Sequence, residues 1–421
     1  MNPEEVRRRR VRGFERVVER AARIDVVTLK RLVVLGMSLR VVLLFVTSGS
    51  NDILSWERIG RHIAAWGVLE EYQRTVQFNH PPLMGLWGRT AVWIADHTVI
   101  PFPIMFRLLP LAADMLGLWL IYALAKKHGG ARQAWRAAAV FSTSLVSIVV
   151  TGHHGNTDSA CAVLTLAAVA LIADGRRPFV AGLAFAAALN VKLIPLAVFP
   201  AVALLLQDRR TMMRFGAGLT LGLTPFLPPV IFVWEAYYRN ALTYQPRTLW
   251  WGIPFVLSSA FVLPCVGSWL RVIDVEYFMH GRYVIMAASL GLGVWGRWSK
   301  RSAIEVAALA FAMFLFLAPG IGVQYFVLLV PVLVMTDLRR AAIWGFVAGL
   351  FVSAVYVYFH EDWFPFRSLH RSLLPESIKV VGLAAWVLLL EFMWSRFRQQ
   401  PRRSPVLDDE DKGELSKANP A

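Results

Sequence analysis

A single acidic residue, Asp52, stands where a long apolar segment ends and a long polar segment begins. On a helix that starts at this point, Asp52 shares a face with Trp56 and Ile59. Glu57 and Arg61 then lie on a different face, where they are candidates for binding a substrate. An ionised carboxylate at position 52 is suited to remove a proton from a substrate hydroxyl, as a general base does. The alternative is structural, because aspartate is also a favoured N-cap residue of helices.

A second group with suitable chemistry is His80, in the stretch "VQFNHPPLMGLW". The fixed geometry of Pro81 and Pro82 is expected to hold the imidazole at the membrane surface, facing Asp52. There a neutral or protonated histidine could donate a hydrogen bond to a phosphate group. In the alternative interpretation, His80 is only a polar cap at the point where the two prolines begin a helix.

The stretch "VVTGHHGNTDSACAVL" places four polar side chains between two apolar segments: His153, His154, Asn156 and Asp158. So many polar groups in so short a segment favour hydrogen bonding to a sugar or a phosphate. Neighbouring histidines rarely point in the same direction, and no third ligand follows at helical spacing, so a metal site is disfavoured.

Four more polar residues in or beside apolar stretches are candidates for the binding site. Lys192 is a cation within "AALNVKLIPLAVFP", which indicates a functional site unless its side chain simply reaches the membrane interface. Gln324 and Tyr325 follow "APGIG", and irregular backbone at membrane depth is tolerated where it lines a cavity. Arg247, in "YQPRTLWWG", fits either an interfacial belt or a lid that stacks on a sugar.

The elements that must position these groups are membrane helices. The chain has 421 residues, of which 57% are hydrophobic and 17% charged, and its mean hydropathy is +0.51. These values are typical of a polytopic membrane protein. We predict an all-α fold of about twelve transmembrane helices, with re-entrant or partial segments at 81–97 and 252–271. The net charge of +16 lies in clusters between apolar segments, which indicates positive-inside bias rather than nucleic-acid binding.

With the basic clusters in the cytoplasm, every polar stretch described above lies on the outer, periplasmic or extracellular, face of the cell (inner) membrane. The outer segments are then 49–80, 152–158, 190–192, 234–251, 318–322 and 359–378. Residues 1–30 are predicted to form a basic amphipathic helix on the cytoplasmic surface, or alternatively a disordered basic tail. The transmembrane domain covers 31–396 and includes the outer loop 49–80, and 397–421 form a disordered cytoplasmic tail.

In combination, these stretches resemble the GT-C superfamily of integral membrane glycosyltransferases. "FNHPPLMGL" resembles the His-Pro-Pro-Leu string of protein O-mannosyltransferases, and "SNDILSWERIGRHI" resembles the acidic first loop of the dolichyl-phosphate-glucose-dependent glucosyltransferases. "GHHGNTD" is similar to the His- and Asn-containing loop of those glucosyltransferases. The Asp-Glu pair typical of the mannosyltransferases is absent, since Ile53 follows Asp52.

The resemblance implies an inverting transferase that moves a sugar from a polyprenyl-phosphate donor to an acceptor on the outer face. It assigns the catalytic base to Asp52 and the binding of the donor phosphate to His80, Lys192 and Arg247. The acceptor is expected to be a lipid, a glycan or a protein, with membrane lipids as further partners and no nucleic acid. No cofactor is required, although a divalent metal is compatible with the sequence. A transporter or flippase of lipid-linked sugars is the competing class. Transporters often have two similar halves, whereas this sequence has one long acidic loop, 49–80, which favours the enzyme.

Overall fold

The computed structural model describes residues 24–244, 251–253, 267–359 and 376–399. Every regular element in these ranges is a helix, which confirms the all-α prediction. Arg247, residues 1–23, the tail from residue 400 and most of the predicted re-entrant segment 252–271 lie outside the described residues.

The first part of the fold carries most of the predicted site residues and ends at residue 191. Its helices are α1 (Val26–Val46), α2 (Asn51–Trp66), α3 (Val68–Arg74), α4 (Pro82–His97), α5 (Phe102–Ser142), α6 (Leu145–Val149), α7 (Asp158–Asp174) and α8 (Pro178–Val191). A π-helical turn, Val150–His154, follows α6 directly. The start of α4 at Pro82 agrees with both interpretations of the proline pair.

The second part begins with short helical pieces and continues with longer helices. These are α9 (Phe199–Ala203), α10 (Arg209–Gly222), α11 (Leu227–Phe232), α12 (Trp234–Tyr237), α13 (Gly267–Trp298), α14 (Ala303–Leu317), α15 (Leu329–Thr336), α16 (Leu338–Phe359) and α17 (Glu376–Arg398). Turns of 3₁₀-helix lie at Ile194–Ala197, Thr224–Phe226 and Val323–Leu328, and a second π-helical turn lies at Tyr238–Leu242.

Three helices of the described residues are long and apolar enough to cross a membrane, namely α5, α16 and α17. Two bent pairs bring the number to five if each pair forms one span. The first pair is α1 with α2, which meet at an angle of 63°, and the second is α10 with the helical segment up to Phe232. The described residues therefore have three to five candidate spans, and the total of about twelve stays a prediction.

Local capping and backbone conformation set the limits of the helices that lead to the site. Asp25 is the N-cap of α1, and its Oδ1 accepts a hydrogen bond from the Thr28 backbone N–H at 2.7 Å. Helix α1 therefore begins at residue 26, inside the range 1–30 that the sequence analysis assigned to a surface helix or a disordered tail. Within α5, Gly130 has a φ of 74°, a left-handed conformation that favours glycine and breaks the helix.

A buried ion pair joins α1 to α5 and α6. Arg40 Nε donates to Asp114 Oδ2 at 2.7 Å, and Arg40 Nη2 donates to Ser147 Oγ at 2.7 Å. Ser147 Oγ donates in turn to Asp114 Oδ2 at 2.8 Å. Both ionic side chains are almost completely buried, and removing them from water costs free energy. The ion pair and the added hydrogen bonds offset this cost.

The two ends of the first segment of α5 provide a test of the predicted orientation. Val99, just before α5, and His128, near the break at Gly130, are both exposed. In a background with Cys161 and Cys265 replaced by serine, a membrane-impermeant maleimide added outside should label Val99→Cys and leave His128→Cys unlabelled. The opposite labelling pattern would contradict the orientation derived from the basic clusters.

Candidate active site

Asp52 is the second residue of α2, and the N-cap of this helix is Ser50. The Asp52 backbone N–H donates to Ser50 Oγ at 3.3 Å, and Ser50 Oγ donates to the carbonyl oxygen of His154 at 3.0 Å. The capping interpretation of Asp52 is therefore wrong, and its carboxylate is free for another role. Trp56 and Ile59, which share its side of α2, are buried against the protein.

The Asp52 carboxylate is held through one of its two oxygens. Asn156 Nδ2 donates to Asp52 Oδ2 at 2.8 Å, and His154 Nε2 lies 3.3 Å from the same oxygen. Asn156 is itself oriented, because its Oδ1 accepts from the Thr157 backbone N–H at 2.8 Å. No described residue hydrogen-bonds to Asp52 Oδ1, and the side chain keeps 43% of its accessible surface. The carboxylate therefore presents one fixed oxygen and one open oxygen.

The π-helical turn at Val150–His154 brings the partners of Asp52 into place. Such a turn widens the helix locally and is frequent at functional sites. The His154 ring stacks on Tyr356 of α16, with ring centroids 4.9 Å apart and planes 13° from parallel. Gly155 follows with a φ of 75°, and this left-handed residue reverses the chain so that Asn156 reaches Asp52. His153 is also buried near Tyr356, with ring centroids 5.7 Å apart.

His80 lies between α3 and α4, with its ring enclosed by the protein. Tyr72 Oη donates to the His80 carbonyl oxygen at 2.6 Å, and the imidazole packs edge-on against Trp56 with centroids 4.6 Å apart. Burial, and then the positive charge of Lys192, lower the pKa of His80 to about 3, against the opposing effect of Asp52. The imidazole is therefore neutral at pH 7. Both ring nitrogens are buried and neither forms a hydrogen bond with a described residue, so the one ring N–H has no acceptor among them.

Lys192 ends in an internal ion pair. Its Nζ donates to Asp158 Oδ1 at 2.7 Å and lies 4.4 Å from the centre of the Tyr325 ring. Asp158 is fully buried and Lys192 is 8% exposed, so the interpretation that Lys192 reaches the membrane interface is wrong. The ammonium group has three N–H donors, and contacts within the described residues use one of them. Its charge acts on both Asp52 and His80, which places these groups in one electrostatic cluster.

Other candidates lie away from this cluster. Arg61 is exposed on α2, where it pairs with Glu57 at 2.8 Å and with Asp96 of α4 at 3.2 Å. Gln324 is half-buried, and its side chain packs beside Gly322 without a contact to Asp52. Arg247 belongs to the residues that are not described. Among the described residues, no three His, Cys, Asp or Glu side chains are placed to share a metal ion.

The sequence analysis missed several residues that shape the site: Ser50, Tyr72, Arg107 and Tyr356. Serine and tyrosine have no sequence signal here, because their roles depend on contacts with residues distant in the chain. Arg107 did have a signal, since a cation within an apolar helix is a functional candidate by default.

Comparison with known proteins supports the resemblance noted in the sequence. Residues 70–208 match the family model MptA_B_family, described as alpha-(1->6)-mannopyranosyltransferase, N-terminal domain. The matched range includes His80, Asn156 and Lys192, and it begins after Asp52. No curated protein and no solved structure matches the chain. The family match confirms the resemblance to GT-C glycosyltransferases and supports a glycosyltransferase activity in a membrane protein.

The ion pair of Lys192 predicts a loss of stability when only one partner is removed. Lys192→Met leaves Asp158 buried without its cation, so we expect the free energy of unfolding to fall by about 3–5 kcal/mol. Asp158→Asn in the same chain removes the second charge and should restore much of the loss, as measured by thermal unfolding in detergent. The control is Lys127→Met, because the exposed Lys127–Asp174 pair contributes little. A Lys192→Met protein as stable as the control would contradict the assigned pairing.

The neutral state of His80 predicts a dependence of stability on pH. The ordinary pKa is 6.5 and the folded value is about 3, so between these values the unfolded chain binds the extra proton. The contribution of His80 is therefore complete above pH 6.5 and is lost as the pH falls towards 3. The difference in melting temperature between pH 7 and pH 4.5 should be smaller for His80→Asn than for the wild type. For the exposed control His128→Asn, the difference in melting temperature should equal that of the wild type. Equal differences in all three proteins would contradict a neutral, buried His80.

Proposed function

We propose that this protein is an inverting glycosyltransferase that moves a sugar from a polyprenyl-phosphate donor to an acceptor hydroxyl on the outer face of the membrane. The observation that carries the proposal is the state of Asp52: Asn156 fixes one oxygen, no described residue hydrogen-bonds to the other, and Lys192 and His80 lie within electrostatic range of the carboxylate. The acceptor hydroxyl belongs to a lipid, a glycan or a protein.

In the proposed reaction, Asp52 Oδ1 accepts the proton of the acceptor hydroxyl while that oxygen attacks the anomeric carbon. The bond between the anomeric carbon and the donor phosphate oxygen breaks, and its electron pair leaves with the polyprenyl phosphate. A single displacement inverts the configuration at the anomeric carbon. The fixed oxygen, Oδ2, keeps the carboxylate oriented throughout, because Asn156 donates to it.

The leaving phosphate gains negative charge as this bond breaks, and nearby donors lower the barrier by stabilising that charge. Lys192 offers its unused N–H donors, and neutral His80 offers one ring N–H. The buried Asp158 holds the ammonium in position and limits its net charge. This balance suits the single negative charge of a phosphodiester donor, and the sequence contains no glycine-rich loop of the kind that binds nucleotide phosphates.

The family match makes mannose the first sugar to test, since its model describes a mannopyranosyltransferase domain. The absence of an Asp-Glu pair at Asp52 makes glucose and other hexoses necessary members of the same donor panel.

Replacement of Asp52 tests the proposed function. Asp52→Asn preserves the size of the side chain but removes the proton acceptor, so turnover should fall by roughly a hundredfold or more, with donor binding retained. The measurement is donor consumption and product formation with purified protein and the panel of polyprenyl-phosphate sugars. Glu57→Gln is the matched control on the same helix, because Glu57 pairs with Arg61 away from the cluster.

Full transfer activity in Asp52→Asn would show that another group is the base. Movement of the lipid-linked sugar across the bilayer without chemical turnover would instead favour the flippase class.

A further inference from the structure

Arg107 is a fully buried arginine near the start of α5. Within the described residues it forms no ion pair, and every hydrogen bond of its guanidinium goes to an oxygen of the main chain or of a threonine. A buried cation without an ionic partner is costly in an apolar helix. An arginine at this position is therefore a candidate for a functional role.

The guanidinium of Arg107 connects the end of α1 to the π-helical turn. Its Nη2 donates to the carbonyl oxygens of Leu44 at 2.8 Å and Thr47 at 2.5 Å, which are main-chain acceptors at the end of the helix. Its Nη1 donates to Thr47 Oγ1 at 2.9 Å and to the Gly152 carbonyl oxygen at 3.0 Å. One planar group thus fixes the relative position of two separate chain segments.

These two segments lead directly to the candidate base and its partners. The segment from Thr47 continues through Ser50 into Asp52, and the segment from Gly152 continues into His154 and Asn156. Ser50 Oγ adds a further link, because it donates to the His154 carbonyl oxygen.

The turn at Gly155 fits closely over the same side chain. A Cβ at Gly155 would lie 2.4 Å from Arg107 Cγ and 2.7 Å from Ile53 Cδ1. Together with the positive φ of Gly155, this contact shows that the chain turns against the arginine stem before Asn156 reaches Asp52.

We propose that Arg107 is a positioning residue, which holds Asp52 in hydrogen-bonding distance of Asn156 and His154 for sugar transfer. The inference rests on the proposed function. Arg107 contacts neither reacting atom, and it acts by setting the distance between the start of α2 and the segment 150–156.

Arg40 provides a matched control, because it is a second fully buried arginine with a complete set of hydrogen bonds. Its side chain binds Asp114, Ser147 and the Ser142 carbonyl oxygen, and none of these groups contacts Asp52. Lysine at either position keeps the charge but loses the planar fork of donors.

The test compares wild type, Arg107→Lys and Arg40→Lys as full-length proteins, with transfer measured across a range of pH. In Arg107→Lys, turnover should fall about tenfold or more with the KM for the donor within about twofold of wild type, because Lys192 and His80 are untouched. The acidic limb of the pH profile should move to higher pH. The ionised Asp52 would lose the hydrogen bond that stabilises it, and its pKa would rise. Arg40→Lys should melt at a lower temperature while its pH profile and turnover remain those of the wild type.

A wild-type turnover and acidic limb in Arg107→Lys would overturn the inference, and so would equal shifts in both lysine variants. If Arg107→Lys does not fold, Thr47→Val takes its place, because it removes the Oγ1 atom that accepts a hydrogen bond from Arg107 Nη1 and leaves the arginine unchanged. Its acidic limb should shift in the same direction, and an unshifted limb would again overturn the inference. A wild type that transfers no sugar from any donor would instead refute the proposed function itself.

Discussion

The candidate site depends on the hydrogen bond from Asn156 to Asp52. This bond joins two chain segments that are distant in sequence. One segment is the start of α2, where Ser50 caps the helix and Asp52 follows. The other follows the π-helical turn and is reversed by Gly155. The bond fixes one carboxylate oxygen, while no described residue hydrogen-bonds to the other, and this arrangement suits the proposed general base.

An ion inside an apolar protein must have an ionic partner or a set of hydrogen bonds, and Arg107 has only the hydrogen bonds. Lys192 is paired with Asp158, and Arg40 is paired with Asp114. His80 satisfies the same constraint by remaining neutral. The carboxylate of Asp52 differs from these groups, because its side chain keeps 43% of its accessible surface. This exposure is the reason that Asp52, rather than one of the buried carboxylates, is proposed as the base.

Much of the site could be predicted from local sequence. Asp52 at the end of an apolar segment, His80 before a proline pair and the polar stretch from His153 to Asp158 all stood out against their surroundings. Their meeting in one cluster followed from the resemblance to GT-C enzymes and from a consistent placement on one face of the membrane.

The partners of these groups could not be predicted in the same way. Asn156 and Asp52 are 104 positions apart in sequence, and the pairing of Lys192 with Asp158 spans 34 positions. Helical periodicity does not encode such distant contacts. It did separate Glu57 and Arg61 from Asp52 on α2, and the structure places that pair against Asp96 instead. The positions of Ser50 and Gly155 depend on backbone conformations that become visible only in the folded chain.

A structure of the full-length protein bound to a polyprenyl-phosphate sugar tests the central claim most directly. The account predicts that the donor phosphate lies within hydrogen-bonding distance of Lys192 Nζ and a ring nitrogen of His80. The anomeric carbon should face Asp52 Oδ1 with room for one acceptor hydroxyl between them, at roughly 2.6–3.2 Å from the carboxylate oxygen. A donor bound elsewhere, or an anomeric carbon turned away from Asp52 with the phosphate remote from Lys192, would contradict it.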